Sequence, residues 1–404
     1  FARDDMNSST MLSGHLAETQ ARAQVNESEY LIAAQDTTYY NYTGQPQMTG
    51  LGRIQGKVRG LMQHNVFLLD EQGQPLGLVD QQYWTREGAI DWPSDQKESQ
   101  KWFNGLDAVN QHAQGSNKRW VVTCDREGDI FEFFKASREP NVDLLVRVYQ
   151  PRRVEVVTAG TVFPLPDVAA QLEEYGQYTI QIERQIDGKR RAVNVTLQLQ
   201  GATVHIYPRK NLSAALHKTQ ELSLVVATEV ACVEVKTGDD CFDADNALCW
   251  SLLTSLAIET AEDVQRILRF YALRWRIERL HFTLKSGALN VEKLQFDDVH
   301  TLVNALSFYS VVAWHLLGLT YALRQNPEQP AQNMFEADEL QLLHQLSGQP
   351  VDSLRQATLA LAKLVGFAPS KTQPLPGVKV LAAALERFCF AKQGAAAVSK
   401  PLQD

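Results

Sequence analysis

The first third of the chain alternates short apolar runs with polar turns, a pattern that predicts strands joined first by turns and later by helices. We expect strands over residues 30–38, 65–70, 76–84, 120–125 and 142–149, and helices over 97–114 and 129–136. The second and third strands are separated by a turn at 71–74, so the first three strands are predicted to be antiparallel. The last two strands each follow a helix and are predicted to run parallel to the first.

This order of strands is the arrangement of the ribonuclease-H-like fold. Beyond residue 150 we expect strands at 154–157, 178–183, 193–199, 204–207, 222–235 and 248–253, a helical segment at 167–174, and later helices at 300–323, 336–346, 351–364 and 380–391. The prediction is therefore an α/β protein with a ribonuclease-H-like mixed sheet, an inserted β-rich domain and a C-terminal helical domain. The expected bounds are 29–150 and 256–299 for the two parts of the core, 151–255 for the insertion and 300–404 for the helices.

A single long helix is predicted from residue 260 to residue 287. Thr260, with Asp263 three residues later, forms a capping-box pattern at its start, and Gly287 is a natural stop. One stripe of this helix carries four residues whose spacings are close to whole helical turns: Tyr271, Arg274, Glu278 and Lys285. An exposed helix bearing salt-bridge pairs would show the same stripe, so the helix alone leaves a structural and a functional interpretation open.

Composition and charge narrow the class of protein. The 404-residue chain is long enough for more than one domain, and no apolar run is long enough to cross a membrane. Its net charge of -8 argues against a protein that coats nucleic acid, although basic residues are concentrated between Arg266 and Lys285. The five cysteines form no CxxC pair and are expected to be free thiols in a reducing cytosol.

Three acidic residues are candidates for a metal site: Asp36 in the last part of the first strand, Asp125 at the end of the fourth, and Glu278 on the long helix. In the expected sheet the first and fourth strands are neighbours, so their aspartates should lie close together, and the helix returns to the same edge. Converging carboxylates repel one another unless cations neutralise them, and oxygen-rich sites suit Mg²⁺ or Mn²⁺. Each residue taken alone also fits a turn or a solvated surface.

The four residues of the stripe match the pattern Y-(2)-R-(3)-E-(6)-K without a gap. This pattern is the signature of the insertion-sequence-four family of DDE transposases, which the chain resembles over about 30–390. The segments LIAAQDTTYYNY and TCDREGDI resemble the two aspartate motifs of that family, and the segments KES, WSLLTS and RWRIE resemble its Tn-five branch.

The resemblance implies cut-and-paste DNA transposition, with strand nicking, hairpin formation and strand transfer at transposon ends. It implies that Asp36, Asp125 and Glu278 are the catalytic residues and bind two Mg²⁺ or Mn²⁺ ions per active site. It also implies DNA contacts by Tyr271, Arg274 and Lys285, and stacking of a flipped base on Trp250. Arg147, which follows the fifth strand together with Arg152 and Arg153, is a further candidate for a DNA contact.

A purely structural role remains an alternative to DNA binding for several of these residues. Trp250 also fits a core position, and the arginines after the fifth strand also fit a solvated surface. We treat Trp275 as a packing residue and leave His281 open between packing and DNA contact. The basic loop at 187–191 is expected to be a solvated hairpin tip.

The resemblance also implies partners and a location: double-stranded DNA (transposon ends and target), a second copy of the chain in a homodimeric synaptic complex, no membrane, and the bacterial cytoplasm at the nucleoid. Relatives carry an end-recognition region before the point that resembles Phe1, so residues 1–28 are expected to be the remnant of an N-terminal DNA-binding region. The chain has Leu61 and Met62 where the Tn-five branch has aromatic residues, which argues against a DNA contact there.

Two other functions fit the same residues. A copy without its end-recognition region could be a catalytically incompetent inhibitor that binds full-length transposase, and an internal start codon in the upstream reading frame would favour this. A structure-specific nuclease of the same fold would cleave DNA without strand transfer, and a strand-transfer product would rule it out.

Overall fold

A mixed β-sheet forms the centre of the computed structural model, which describes residues 1–3, 5–93, 97–208 and 219–398. In this described part of the chain the strands are β1 (Tyr30–Asn41), β2 (Gly52–Gln55), β3 (Val58–Asp70), β4 (Pro75–Trp84), β5 (Arg119–Cys124), β6 (Val142–Arg147), β7 (Arg153–Val156), β8 (Thr161–Pro164), β9 (Glu173–Ile186), β10 (Lys189–Ile206), β11 (Gln220–Glu234) and β12 (Cys249–Thr254). The helices are α1 (Ser8–Val25), α2 (Gln100–Ala113), α3 (Phe131–Phe134), α4 (Ala261–Leu273), α5 (Trp275–Phe282), α6 (Val299–Gln325), α7 (Ala337–Ser347), α8 (Leu354–Lys363) and α9 (Val378–Val398). The protein is thus α/β, with a large mixed sheet and C-terminal helices.

The first half of the sheet has the strand directions that the connections predict. β1 pairs antiparallel with β3, and β3 pairs antiparallel with β4. On its other side β1 pairs parallel with β5, which pairs parallel with β6. A short turn joins β3 to β4, and the helices α2 and α3 precede β5 and β6, so the predicted directions of these five strands are confirmed.

The second half of the sheet continues from β6 without a break. β12 pairs antiparallel with β6, and β11, β10, β7 and β8 follow in that order, while β9 pairs with β10. The strands between residues 153 and 254 therefore extend the same hydrogen-bonded sheet.

Several sequence predictions for individual elements are wrong. The helix expected at 167–174 is absent: single 3₁₀ turns at Leu165–Asp167 and Ala169–Gln171 lead into β9, because a helix of eight residues is too short to be stable by itself. The two strands expected at 193–199 and 204–207 are one strand, β10, which passes through Gly201. The short strands β2 and β8 were not predicted, since four residues give little periodicity.

Both faces of the sheet are covered, and β1 and β5 are apolar on both faces. Ile32 and Ala34 of β1 pack with α4 and α6, whereas Leu31 and Ala33 pack on the opposite face with α2 and α3. Successive residues of a strand point to opposite faces, so a strand buried on both sides reads as a continuous apolar run. This explains why the first strand is so clear in the sequence.

The helix α6 spans the core and is long and apolar enough to cross a membrane by length and composition alone. In this protein 67% of its most apolar window is buried inside the structure. A helix in the core of a protein shows burial of this kind, so its length and composition are weak evidence that it crosses a membrane.

His15 ties the N-terminal helix to the sheet. Its Nε2 accepts a hydrogen bond of 3.0 Å from the backbone N–H of Leu78, and its ring packs edge-on against Trp314. Burial, with a smaller contribution from the charge of Arg22, lowers the pKa of His15 from 6.5 to about 4. The imidazole is therefore held neutral as an acceptor.

We expect this contact to make stability depend on pH. Because the folded pKa of His15 lies below the unfolded value, its stabilisation is complete above pH 6.5 and is lost as the pH falls towards about 4. The variant His15→Gln should show a flatter dependence of urea unfolding midpoint on pH across this window. The exposed His300→Gln is the matched control and should keep the wild-type slope, and equal slopes for all three proteins would contradict the assignment.

Candidate active site

The parallel pairing of β1 with β5 brings two of the predicted acidic residues together. The last pair of this ladder is Ala34 with Thr123, so Asp36 in β1 and Asp125, the first residue after β5, both lie two positions beyond it. Both positions also lie on the face that α4 and α6 cover, since Ile32 and Ala34 on β1 and Val121 on β5 point that way.

Each aspartate uses one oxygen locally. Oδ1 of Asp36 accepts a hydrogen bond of 2.9 Å from the backbone N–H of Thr37. Oδ1 of Asp125 accepts one of 2.9 Å from the backbone N–H of Glu127 and so caps the 3₁₀ turn that follows β5. These bonds fix the direction of the carboxylates and leave the second oxygen of each for another partner.

The predicted long helix is present but is divided. The capping box of Thr260 and Asp263 is confirmed at the start of α4. At Arg274 the backbone tightens, with its N–H bonded to the carbonyl of Tyr271, and α5 begins at the next residue. The last part, Thr283–Gly287, is a π-helical turn. Turns of this kind occur often at functional sites.

Arg274 lies between two of the acidic side chains. Its Nη2 donates a hydrogen bond of 2.9 Å to Oε1 of Glu278, and its Nη1 lies 3.9 Å from Oδ2 of Asp36. The Arg274 side chain is 6% exposed, and its Nε has no hydrogen-bond partner in the described part of the chain. The helix therefore returns to the sheet as expected and delivers Glu278 to the edge that carries Asp36.

Burial and, to a smaller extent, the neighbouring carboxylates disfavour the negative charge of Asp36. Burial raises the pKa of Asp36 to about 7; Arg274 opposes this rise, while the charges of Asp125 and Glu278 add to it. Burial alone would lower the pKa of Arg274, but Tyr271 and the three carboxylates outweigh it and raise that pKa. One guanidinium thus compensates three carboxylates only in part.

His281 lies behind Asp36 and does not face outwards. Its Nδ1 is 3.7 Å from Oδ2 of Asp36, and its Nε2 accepts a hydrogen bond of 3.0 Å from Asn65, whose oxygen accepts one of 2.7 Å from Gln81. Burial, with the charges of Lys285 and Arg274, lowers the pKa of His281 to about 3, so the ring is neutral. The sequence left His281 open, and only the fold shows the chain of polar contacts from β4 through β3 to Asp36.

Three of the predicted DNA contacts are buried in this structure. Tyr271 packs edge-on against Trp250 with ring centroids 5.4 Å apart, and the Arg274 guanidinium lies 5.8 Å from the centre of the tyrosine ring. Trp250 is only 5% exposed, so a base could stack on it only after the side chain moves.

The other two predicted contacts are half-buried at the rim. Lys285 donates a hydrogen bond of 2.7 Å to the carbonyl of Tyr39, three residues beyond Asp36. Arg147 donates a longer one of 3.3 Å to the carbonyl of Cys249. Lys285 therefore stands next to the strand that bears Asp36. Burial raises the pKa of Tyr271, and Arg147 lies near enough to that tyrosine for its charge to oppose the rise.

The structure also corrects or confirms neighbouring assignments. Trp275 is 53% exposed, so its interpretation as a packing residue is wrong. Arg152 is buried and forms an ion pair with Asp129, which removes it from the candidate DNA contacts. The loop at 187–191 is the tip of the β9–β10 hairpin, as expected.

The three carboxylates fit a divalent cation in kind and in charge. They are oxygen donors of the type that Mg²⁺ and Mn²⁺ prefer, and they carry more negative charge than Arg274 neutralises. Among the described residues no three Asp, Glu, His or Cys side chains are close enough to hold an ion as they stand. Arg274 instead contacts Glu278 and Asp36 directly.

Removal of one charge from the cluster should stabilise the metal-free protein. The pKa of Asp36 is higher in the folded protein than in the unfolded chain. The stability that its protonated form contributes is therefore complete below pH 3.8 and is lost as the pH rises to about 7. At pH 8 with a chelator present, Asp36→Asn should therefore have a free energy of unfolding that is higher than that of the wild type by on the order of 2 kcal/mol, as measured by urea unfolding. This gain should vanish near pH 4. The exposed Asp297→Asn should behave as wild type, and a destabilised Asp36→Asn protein at pH 8 would contradict this account of the site.

Comparison with known proteins gives little independent evidence. No protein-family model matches the chain. Among solved structures, the chain is similar to one in the cryo-EM structure of the piggyBac transposase synaptic complex with hairpin DNA, at 9% sequence identity and a TM-score of 0.34. The similarity covers 91% of this chain and 58% of that one, so this chain spans less than two thirds of its length. A similarity at this level carries no argument about fold or activity.

Proposed function

We propose that the chain is a metal-dependent DDE transposase of the insertion-sequence-four kind, which nicks DNA, forms a hairpin and transfers the strand end to a target. The observation that carries the proposal is the acidic cluster: Asp36 lies on β1, Asp125 directly follows the neighbouring parallel strand β5, and Arg274 joins Asp36 to Glu278. The order and direction of β4, β3, β1, β5 and β6 support a ribonuclease-H-like core, with the strands at 153–254 as its insertion.

Asp36, Asp125 and Glu278 would hold two Mg²⁺ or Mn²⁺ ions. When bound, such ions neutralise the carboxylates, activate the attacking hydroxyl group and stabilise the leaving oxygen of a phosphoryl transfer. The charge excess around Asp36 supports this role, because a site that binds two dications needs more negative charge than its own cations remove.

The side chains around the cluster would position the DNA strand. In phosphoryl transfer, alignment of the attacking and leaving oxygens and neutralisation of charge supply most of the catalysis. Arg274 would exchange its carboxylate partners for phosphate oxygens, which a guanidinium binds in the same forked geometry. Lys285 and Arg147 would bind phosphates at the rim of the site.

Trp275 is our candidate for base stacking in the observed conformation. Its ring is exposed directly beside Arg274, whose guanidinium lies 5.8 Å from the ring centre. Trp250, by contrast, is enclosed by Tyr271 and the sheet. An exposed aromatic ring beside a cation suits the face of any base.

The partners and regions stay proposals as well. The substrate would be double-stranded DNA at transposon ends and targets, in the bacterial cytoplasm. We propose a homodimer in the synaptic complex, with residues 300–404 as the dimerisation region.

The metal role of Glu278 can be tested on the chain itself. We expect Mn²⁺ to raise the melting temperature of the wild type and to support nicking of supercoiled plasmid. Glu278→Gln should lose the nicking by at least about 100-fold, because a ligand that positions the reacting groups is removed, and should blunt the Mn²⁺-induced shift.

The exposed Glu262→Gln on the preceding helix α4 is the matched control and should retain both properties. Nicking by Glu278→Gln at the wild-type rate would overturn the assignment. A wild-type Mn²⁺ shift in that variant would show that the metal binds elsewhere.

The proposed role in base stacking predicts different effects for substitutions of Trp275 and Trp250. Trp275→Ala should weaken binding of single-stranded oligonucleotides by about 1–3 kcal/mol and leave the melting temperature nearly unchanged. Trp250→Ala should instead lower stability by about 3–5 kcal/mol, since it empties a core position. Fluorescence anisotropy and thermal melting measure these effects, and unchanged oligonucleotide affinity in Trp275→Ala would remove it from the DNA surface.

A further inference from the structure

Two cysteine side chains meet at the end of β11. The sulfur atoms of Cys232 and Cys241 are 2.6 Å apart, which lies between the S–S bond length of about 2.0 Å and the contact distance of two unbonded thiols. Cys232 is fully buried and Cys241 is half-buried against the same core cluster. Among the cysteines of the described chain, Cys249 and Cys389 are exposed and Cys124 is buried elsewhere.

The backbone holds this pair in a geometry that suits a cross-link. After β11 the chain turns back, so that Val233 pairs antiparallel with Asp240 and the N–H of Cys241 donates a hydrogen bond of 2.8 Å to the carbonyl of Cys232. Directly opposed residues of antiparallel strands have Cα atoms about 4.5–5.5 Å apart. That spacing falls inside the range of about 4.4–6.8 Å found across disulfides.

The surroundings of the pair also make it more than a chance contact. Arg184 lies with Nη1 3.6 Å from the Cys232 sulfur and forms a hydrogen-bonded ion pair with Glu229, which in turn binds the backbone N–H of Leu248. The loop between Cys241 and β12 is therefore held at both ends. Burial and the neighbouring Cys241 raise the pKa of the Cys232 thiol, and the charge of Arg184 opposes this rise. The half-buried Cys241 is therefore the thiol placed to react first, because the thiolate is the reactive form.

We propose that Cys232 and Cys241 are a redox-responsive pair that forms an intramolecular disulfide on exposure to a small-molecule disulfide oxidant. The half-buried Cys241 loses its proton and attacks one sulfur of the oxidant, whose S–S bond breaks and releases one thiolate, which takes up a proton. The Cys232 thiol then gives up its proton and attacks the Cys241 sulfur, and the second small thiol leaves. Two protein thiols are oxidised by two electrons, and the oxidant is reduced to two thiols.

The cross-link would fasten the turn that leads into β12. That strand carries Trp250, which packs on Tyr271 beside the acidic cluster. In a reducing compartment such a pair is reduced most of the time and closes only under oxidation, as is usual for cytosolic disulfides. The proposal stands independently of the DNA chemistry, since it rests on residues outside the candidate active site.

The test uses the purified chain equilibrated with mixtures of oxidised and reduced glutathione. Cleavage at Lys236 and at Asp245 places Cys232, Cys241 and Cys249 on three separate peptides. We expect a non-reduced peptide pair joined through Cys232 and Cys241, lighter than the sum of its two thiol peptides by the mass of two hydrogen atoms. Absence of this pair in excess oxidised glutathione, or a link between Cys241 and Cys249 in its place, would overturn the proposal.

Variants supply the control. Cys241→Ser should abolish the linked peptide and the rise in melting temperature on oxidation, whereas the exposed Cys249→Ser should keep both. Cys241 is half-buried and serine is close to it in size, so this variant is expected to fold, as the melting curve of the reduced protein will show. An equal rise in melting temperature for Cys241→Ser and wild type would assign the effect to another site.

Discussion

The parallel ladder between β1 and β5, from Tyr30 opposite Arg119 to Ala34 opposite Thr123, is the contact on which the candidate site depends. A slip of one residue in this ladder would turn Asp125 to the opposite face of the sheet from Asp36. The register is secured because both strands are buried on both faces, with α4 and α6 on one side and α2 and α3 on the other. Packing on two faces therefore sets the separation of two carboxylates that do not themselves stabilise the fold.

The carboxylates oppose the burial that positions them. Burial and the charges of Asp125 and Glu278 disfavour the ionised form of Asp36. The positive charge of Arg274 offsets only part of this effect. A buried arginine between two carboxylates also needs a helix that brings it inwards, and the tightened backbone at Arg274 lies where the chain does so. The same contacts would have to open for a cation to enter. The site is therefore held together by an interaction that a metal would replace.

The sequence predicts the parts of this arrangement that depend on local pattern and chain connectivity. Strand directions follow from the connecting lengths, and the start of α4 follows from Thr260 and Asp263. Long-range placement is a different matter. Nothing in the local sequence indicates that Asn65 would meet His281, since they are more than two hundred residues apart and the contact depends on the packing of α5 over β3. The exposure of Trp275 likewise depends on where the helix rotates after Arg274, which a regular periodicity cannot give.

The position of the Lys285 side chain depends on the departure of its helix from regular α-helical geometry. A uniform α-helix would carry it on the same stripe as Glu278, seven residues earlier, because seven residues are close to two turns. The π-helical turn from Thr283 to Gly287 has more residues per turn and so changes the direction of the side chain. Its ammonium group then reaches the carbonyl of Tyr39 on β1 instead of pointing along the stripe. This contact anchors the end of the helix to the strand that bears Asp36, so the spacing in the sequence identifies the residue, but the irregular turn decides which part of the site it serves.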